Sequence, residues 1–271
     1  MPDAHPPVFI SHGAPSLATD GGASATFLAR LGADIGRPRA VLCASAHWVD
    51  TTPLVGADPR PATIHDFSGF GEDLDRMRYP APGDPALAAR VVDLLRVAGF
   101  AGAAPASRGL DHGAWVPLSL MFPAADLPVV QIALQPRLGP AHHLAVGRAL
   151  RPLVDEGVLV LGSGGASHNL REAFAHGGAG EEAPAWVVAF ERWMAQALAD
   201  GREDDLIHYA ERAPHAARNH PTDEHLLPLF VALGAAGPGA RGTLLHEAVT
   251  FGVLSMACFA FAMPSSPPAS R

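Results

Sequence analysis

The chain has 271 residues, of which 48% are hydrophobic and 17% charged, and its formal net charge is -8 at pH 7 with 14 neutral histidines. An acidic chain without a run of lysine and arginine disfavours a nucleic-acid partner, and no run of 18 apolar residues indicates a membrane span. Only Cys43 and Cys258 occur, and no secretory signal is visible, so we expect a cytoplasmic protein with buried thiols. A disulfide between the two cysteines stays open.

Continuous apolar runs alternate with amphipathic segments along most of the chain. Runs without polar alternation predict strands that are buried on both faces of a sheet. We predict strands at residues 7–10, 39–45, 51–55, 127–134, 158–161 and 254–261. We predict helices at residues 24–31, 84–99, 140–153, 186–198, 205–211 and 222–233. The alternation predicts an α/β fold, a single domain with a central, mostly buried sheet flanked by helices.

Local signals mark several of these boundaries. Asp84 comes directly before a proline, which predicts a capping carboxylate and a proline in the first helical turn. Thr222 is the predicted cap of the helix that would carry His225 one turn from its start. We interpret residues 172–184 as a mobile surface loop that could act as a lid, and residues 264–271 as a disordered tail.

Five histidines lie in short segments marked by glycine or proline, at predicted strand ends or near helix starts. They are His12, His47, His112, His168 and His225. Imidazole is the commonest transition-metal ligand and the usual base near neutral pH. Because ligands bind beyond the carboxyl ends of strands in α/β sheets, we expect at least His12, His47 and His168 to meet in one crevice.

Other interpretations of these segments stay open. Each histidine taken alone could serve turn formation or core packing. The Gly162-Ser163-Gly164-Gly165 turn resembles a phosphate-binding turn, but it lacks the full glycine spacing of a dinucleotide site. Ser163 only loosely fits a nucleophile elbow, so Ser-His-Asp hydrolysis is a weak alternative. The HExxH, CxxC and EF-hand patterns are missing from the sequence, which disfavours the common zinc-protease, zinc-finger and calcium sites.

Seven segments in chain order together resemble the class III extradiol ring-cleavage dioxygenases, specifically the DOPA 4,5-dioxygenase-like branch. They are Ser11-His12-Gly13-Ala14-Pro15, Ser45-Ala46-His47-Trp48, Thr63-Ile64-His65-Asp66-Phe67-Ser68-Gly69-Phe70, Tyr79-Pro80-Ala81-Pro82-Gly83, Asp111-His112-Gly113-Ala114-Trp115, His168-Asn169-Leu170 and Pro221-Thr222-Asp223-Glu224-His225. One segment alone would be a weak signal, but seven in order are specific to the family. The resemblance runs from about residue 7 to about residue 260.

This resemblance implies one catalytic domain over residues 1–263, which binds one non-haem metal, Fe(II) or Zn(II). By analogy, His12, His47 and His225 match metal ligands, and His168 matches either the acid–base histidine or a fourth ligand. His112 matches a pocket histidine near the substrate and oxygen. The all-histidine set departs from the two-histidine-one-carboxylate triad of many Fe(II) oxygenases. Three acidic neighbours could contribute instead: Asp223, Glu224 and Glu247.

The implied reaction is extradiol cleavage of a catechol-type ring with O2, the partners being a small aromatic diol and oxygen. His168 would take a hydroxyl proton and must therefore start neutral. His65, Asp66 and Phe67 would cover the substrate. Two alternatives are a zinc-dependent hydrolase that uses the same histidines to activate water, and a non-catalytic member of the fold that binds a ligand.

Overall fold

The computed structural model describes residues 4–175 and 183–262. The predicted tail at 264–271 lies outside these ranges, and so do residues 176–182 of the predicted lid. Within the described residues, no helix is both long enough and apolar enough to cross a membrane.

The strands are β1 Val8–Ser11, β2 Ala40–Val49, β3 Leu54–Gly56, β4 Ala104–Ala106, β5 Val129–Leu134, β6 Val158–Gly164, β7 Arg241–His246, β8 Val249–Thr250, β9 Leu254–Ser255 and β10 Cys258–Ala262. The helices are α1 Leu17–Asp20, α2 Gly22–Ile35, α3 Glu72–Arg76, α4 Pro85–Val97, α5 His112–Met121, α6 Gly139–Leu150, α7 Pro152–Asp155, α8 Leu170–Ala175, α9 Ala185–Asp200, α10 Glu203–Ile207, α11 Tyr209–Arg212, α12 Ala216–Asn219 and α13 Leu227–Ala236. A short 3-10 turn covers Pro136–Leu138.

A mixed sheet of eight strands forms the centre, in the order β4-β3-β5-β2-β6-β1-β10-β7. The pairs β5/β2, β2/β6 and β6/β1 are parallel, and β10 joins β1 antiparallel. This arrangement confirms the predicted α/β domain with a central sheet. Three of these four parallel strands, β2, β6 and β1, carry histidines at their carboxyl ends, which lie at the same edge of the sheet.

Helices cover both faces of the sheet, which explains the unbroken apolar runs. In β2, Leu42 packs on the face covered by α4, α6 and α13, whereas Val41 and Cys43 pack toward α2 and α5. Successive side chains of a strand point to opposite faces, so both sets must be apolar. Cys43 and Cys258 are both free and buried, so the open question of a disulfide is answered in the negative.

Three predicted helices and one strand differ from the structure, and the helix predicted at 140–153 is divided into α6 and α7. The helix predicted at 222–233 begins at Leu227, because Pro228 lacks an N–H and is tolerated only in a first turn. Thr222 is therefore not its cap, and His225 lies in the preceding turn rather than inside the helix. The predicted helix at 205–211 is two short helices, α10 and α11, and the predicted strand at 254–261 is divided into β9 and β10. The cap at Asp84 is confirmed, since its carboxylate accepts from the Leu87 amide at 2.9 Å.

His143 supports the fold and makes it sensitive to acid. Its Nδ1 donates to the Gly139 carbonyl at 2.7 Å, and its Nε2 accepts from the Gln135 amide at 3.0 Å. Burial lowers the pKa of His143 to about 4. The neutral ring therefore stabilises the fold fully above the unfolded pKa of about 6.5, and this contribution, about 3 kcal/mol, is lost as the pH falls toward 4.

We expect the variant His143→Gln to be less stable than the wild type at pH 8 and to lose less stability between pH 7 and pH 5. Glutamine keeps a polar side chain but has no proton to gain. Urea unfolding of both proteins across this pH range measures the effect. The difference between the two curves isolates His143 from the other buried histidines, and parallel curves would contradict the assignment.

Candidate active site

Five histidines meet at the carboxyl edge of the three parallel strands and line one cavity of about 520 Å³. His12 directly follows β1, and His47 lies near the end of β2, which continues past it to Val49. His168 follows the turn after β6. His112 is the first residue of α5, and His225 lies in the turn before α13. The structure therefore brings all five histidines of the sequence analysis together.

The rings lie at distances typical of residues that share one ion. The Nε2 atoms of His12 and His47 are 3.1 Å apart. The ring centroids of His12, His47 and His225 form a nearly equilateral triangle with sides of 4.9, 5.0 and 5.5 Å. The His112 ring lies closer to His47, at 3.9 Å between centroids. The nitrogens of His12, His47 and His112 form one compact donor group, and donor atoms of His168, Glu224 and His225 form a second.

Polar groups behind the His12 and His47 rings orient these two rings. Ser163 donates its hydroxyl proton to the Gly113 carbonyl, so its oxygen accepts from His12 Nδ1 at 3.0 Å. His47 Nδ1 lies 3.6 Å from the Asp66 carboxylate. The Ser163 hydrogen bond holds the His12 proton at Nδ1, and the charge of Asp66 favours the same tautomer of His47, which leaves a lone pair on Nε2, the atom that each ring turns toward the other.

His225 shows the same arrangement. Its Nδ1 donates to the Glu224 carboxylate at 3.0 Å, which leaves a lone pair on Nε2. That Nε2 atom is buried and has no hydrogen-bond partner among the described residues. A buried lone pair without a partner is costly, and a bound cation would satisfy it.

The donor set fits a divalent transition metal. When both rings carry their protons on Nδ1, the two Nε2 lone pairs face each other at 3.1 Å and repel unless a cation lies between them. Nitrogens at about 2.1 Å from a tetrahedral ion are about 3.4 Å apart, close to the observed separation. Neutral imidazole nitrogens suit both iron and zinc, so the geometry by itself does not choose between them.

Burial keeps these histidines neutral. It lowers the pKa of His12 and of His225 well below the ordinary value, and the neighbouring histidines lower both further. Burial and then His112 lower the pKa of His47 to about 4, against the opposing effect of Asp111 and Asp66. Neutral rings are what a metal ligand requires.

The predicted substrate-covering segment is divided by the structure. Phe67 lines the cavity. Asp66 lies behind the histidines, where its carboxylate contacts His112 Nδ1 at 3.0 Å and accepts from the His112 amide at 2.9 Å. His65 does not line the cavity: its Nε2 is 3.0 Å from the Met77 carbonyl oxygen, and its ring packs on Phe67 and Trp115.

Asp111 is a buried residue whose positioning role sequence reasoning missed. Its carboxylate accepts from the Ser45 hydroxyl at 2.7 Å and from the Gln131 amide at 2.9 Å, and it caps α5 through the Ala114 amide at 3.2 Å. It therefore joins β2, which carries His47, to the first turn of α5. An aspartate three residues before an amide of a helical first turn was the signal that could have identified this cap.

The comparisons with known proteins decide the family. A profile described as the catalytic LigB subunit of aromatic ring-opening dioxygenase matches residues 4–261. This chain belongs to the LigB family. It is 42% identical over 259 residues to a "4,5-DOPA dioxygenase extradiol" of Beta vulgaris, which covers 93% of this chain and 95% of that protein. A protein of the same name from Escherichia coli K12 is 36% identical over 255 residues, with 93% and 92% covered.

Among solved structures, an uncharacterized Escherichia coli K12 protein, JW3007, superposes on this LigB-family chain with a TM-score of 0.77 and 30% sequence identity. The match covers 94% of this chain and 99% of the other. The predicted family, fold and activity are thus confirmed: the protein is an extradiol ring-cleavage dioxygenase, a non-haem metal enzyme that acts on an aromatic substrate with O2.

Proposed function

We propose that His12, His47 and His225 hold the metal and that His168 is the base in extradiol cleavage of a catechol ring. The observation that carries this proposal is the shared orientation of three rings. Each has Nδ1 turned to an oxygen acceptor, and their centroids are 4.9 to 5.5 Å apart. Imidazoles on one tetrahedral ion with bonds of about 2.1 Å would have centroids about 5 Å apart.

His112 fits a different role. Its centroid is only 3.9 Å from that of His47, closer than two ligands of a tetrahedral ion would lie. Its Nδ1 lies 3.0 Å from the Asp66 carboxylate, whose charge favours the ring proton on Nδ1, so that Nε2 is left for the substrate. We assign His112 as the group that hydrogen-bonds the substrate or oxygen in the cavity.

His168 fits the base better than a fourth ligand. Its ring is stacked on His225, with centroids 3.3 Å apart and planes inclined by 9°. Imidazole lone pairs lie in the ring plane, so two parallel rings at this distance do not aim at one ion. Among the described residues, neither ring nitrogen of His168 has a hydrogen-bond partner. Burial lowers its pKa, against the effect of Glu224, so the ring starts neutral and can accept a catechol hydroxyl proton.

We propose Fe(II) as the working metal. A bound Fe(II) would supply chelation of both catechol oxygens, a lower hydroxyl pKa and the electron transfer to O2 that zinc cannot supply. The neutral ligand set keeps the full double charge of the ion, which favours an anionic catecholate. The free, buried cysteines support the proposed cytoplasmic location, since reduced thiols are usual there.

The direct test is to load the protein with Fe(II) anaerobically and follow oxygen uptake with a panel of catechols. We expect oxygen consumption together with a yellow ring-opened product. The control is the same protein loaded with Zn(II). This protein should hold the zinc ion but should not cleave any catechol. Absence of product from every catechol at confirmed iron occupancy would contradict the proposal, and zinc-supported turnover without oxygen would favour the hydrolase.

A further inference from the structure

Beyond its histidines, the wall of the cavity is almost entirely apolar. Its large side chains are Phe67, Phe70, Leu170, Phe174, Phe251 and Met256. No lysine or arginine lines the cavity among the described residues. A volume of about 520 Å³ is typical of sites that take ligands larger than one ring, so there is room for a ring substituent.

The serine hydroxyls in this wall are already engaged. Ser11 donates to the Ala257 carbonyl at 2.8 Å and accepts from the Ala166 amide at 2.9 Å. Ser167 donates to the Val253 carbonyl at 2.9 Å and accepts from the Ser255 amide at 2.8 Å. Neither hydroxyl retains a proton for a ligand.

Ser255 is engaged in the same way. Its hydroxyl donates to the Glu191 carboxylate and accepts from the Ala257 amide at 3.2 Å. A substrate carboxylate would therefore find no serine proton in the wall of the cavity.

The charged groups directly behind the lining are mostly acidic. In the described part of the chain, the one arginine that bonds a lining residue, Arg108, is turned to the His47 carbonyl at 3.0 Å and to Asp111, outside the cavity. Glu224 lies behind His225 and Asp66 behind His47 and His112, both as carboxylates, whereas burial and Glu247 raise the pKa of Glu191, behind Ser255, to about 7. A carboxylate in the apolar part of the cavity would lose its hydration, gain no cation and face these negative groups. An ammonium group would also lose its hydration in this apolar wall. It would gain no ion pair in return, because the carboxylates are covered by the residues that they contact.

We propose that the substrate is a catechol whose ring substituent is uncharged and apolar. The inference rests on the proposed ring-cleaving function and adds the class of substituent. The proposed substrate differs from the DOPA in the names of the relatives, since DOPA carries both a carboxylate and an ammonium group. The substituent would lie against Phe67, Leu170 and Phe251, while the two hydroxyls face the histidines.

The test compares catechols of similar size with different charge: 4-propylcatechol, 3-(3,4-dihydroxyphenyl)propanoate, 4-(2-aminoethyl)catechol and DOPA. Dissociation constants are measured anaerobically by calorimetry on the Fe(II)-loaded protein, and kcat/KM is measured in air. We expect 4-propylcatechol to bind at least about tenfold more tightly than each charged compound, because a desolvated charge without a partner is costly. Tighter binding of the carboxylate, the amine or DOPA would overturn the inference.

A pair of variants at Leu170 tests the cause. This side chain is at the mouth of the cavity and 45% exposed, so polar replacements are compatible with folding. Leu170→Arg supplies the missing cation, and Leu170→Gln is the matched control without charge. We expect the preference against the propanoate to shrink at least about fivefold in the arginine variant only. An equal change in both variants would overturn the electrostatic argument.

Binding and turnover separate the two proposals. If no catechol is cleaved but the affinities follow the expected order, the ring-cleaving function fails and the class of ligand stands. If a charged catechol is cleaved with the highest kcat/KM and binds most tightly, the function stands and the inference fails.

Discussion

The variant His225→Ala should lose its metal. The His225 ring is one corner of the histidine triangle, and its buried Nε2 has no other partner among the described residues. Removal of an outer-layer partner alone typically costs 10- to 100-fold in metal affinity, so loss of a ligand should cost at least about 100-fold. Competition with a chelator gives the affinity, elemental analysis gives the occupancy, and circular dichroism confirms that the variant folds.

Two further variants make this result specific. His112→Ala should retain the metal within about tenfold, because His112 is assigned to the substrate and not to the ion. Glu224→Gln should weaken metal binding by about 10- to 100-fold, since the amide oxygen still accepts from His225 Nδ1 but carries no charge. If His112→Ala lost its metal and His225→Ala retained it, His112 would be the metal ligand and His225 would be the residue that contacts the substrate.

The variant His168→Ala should keep its metal and lose its turnover. The ring has no hydrogen-bond partner in the described part of the chain, and the His225 ring on which it stacks keeps its bond to Glu224 when His168 is removed. Loss of a positioned general base typically lowers the rate by about 10²- to 10⁴-fold, and added imidazole should restore part of the activity. Steady-state kcat with a saturating catechol, measured alongside metal content, tests the prediction.

The pH dependence of kcat tests whether His168 acts as a base. A base must be neutral, and burial lowers the pKa of His168 below its ordinary value. Activity should therefore persist below pH 6.5 and be lost only as the pH falls through the lowered value. The control is His142→Ala, which removes a half-buried histidine bonded to Gln135, outside the cavity lining. If His168→Ala loses its metal instead, the ring is a fourth ligand and another residue is the base.

Most of the strands could be predicted because their signal is local. The run at 39–45 is apolar on both faces, and the structure covers both faces of β2 with helices. The cap at Asp84 was predicted for the same reason, since a side chain and the amide three residues later suffice to form it. The start of α13 was missed because Thr222 resembled a cap, whereas Pro228 decides where the helix can begin.

The five histidines were also visible in the sequence, but their orientations were not. His12 is oriented by Ser163, which is 151 positions away in the chain, and Ser163 is in turn held by Gly113. His65 lies in the same short segment as Phe67, yet it turns toward the Met77 carbonyl and away from the cavity. Spacing along a loop does not tell which way each side chain points.

By itself, the sequence determined the α/β class, the positions of the main strands, the family and the identity of the five histidines. These depend on local hydrophobic patterns and on motifs that are contiguous in the chain. The tertiary structure decided which nitrogen of His12 and of His225 is free, that His168 stacks on His225, and that the described residues of the cavity wall include no lysine or arginine. Each of these properties depends on contacts between residues far apart in the chain, and only the folded chain brings such residues together.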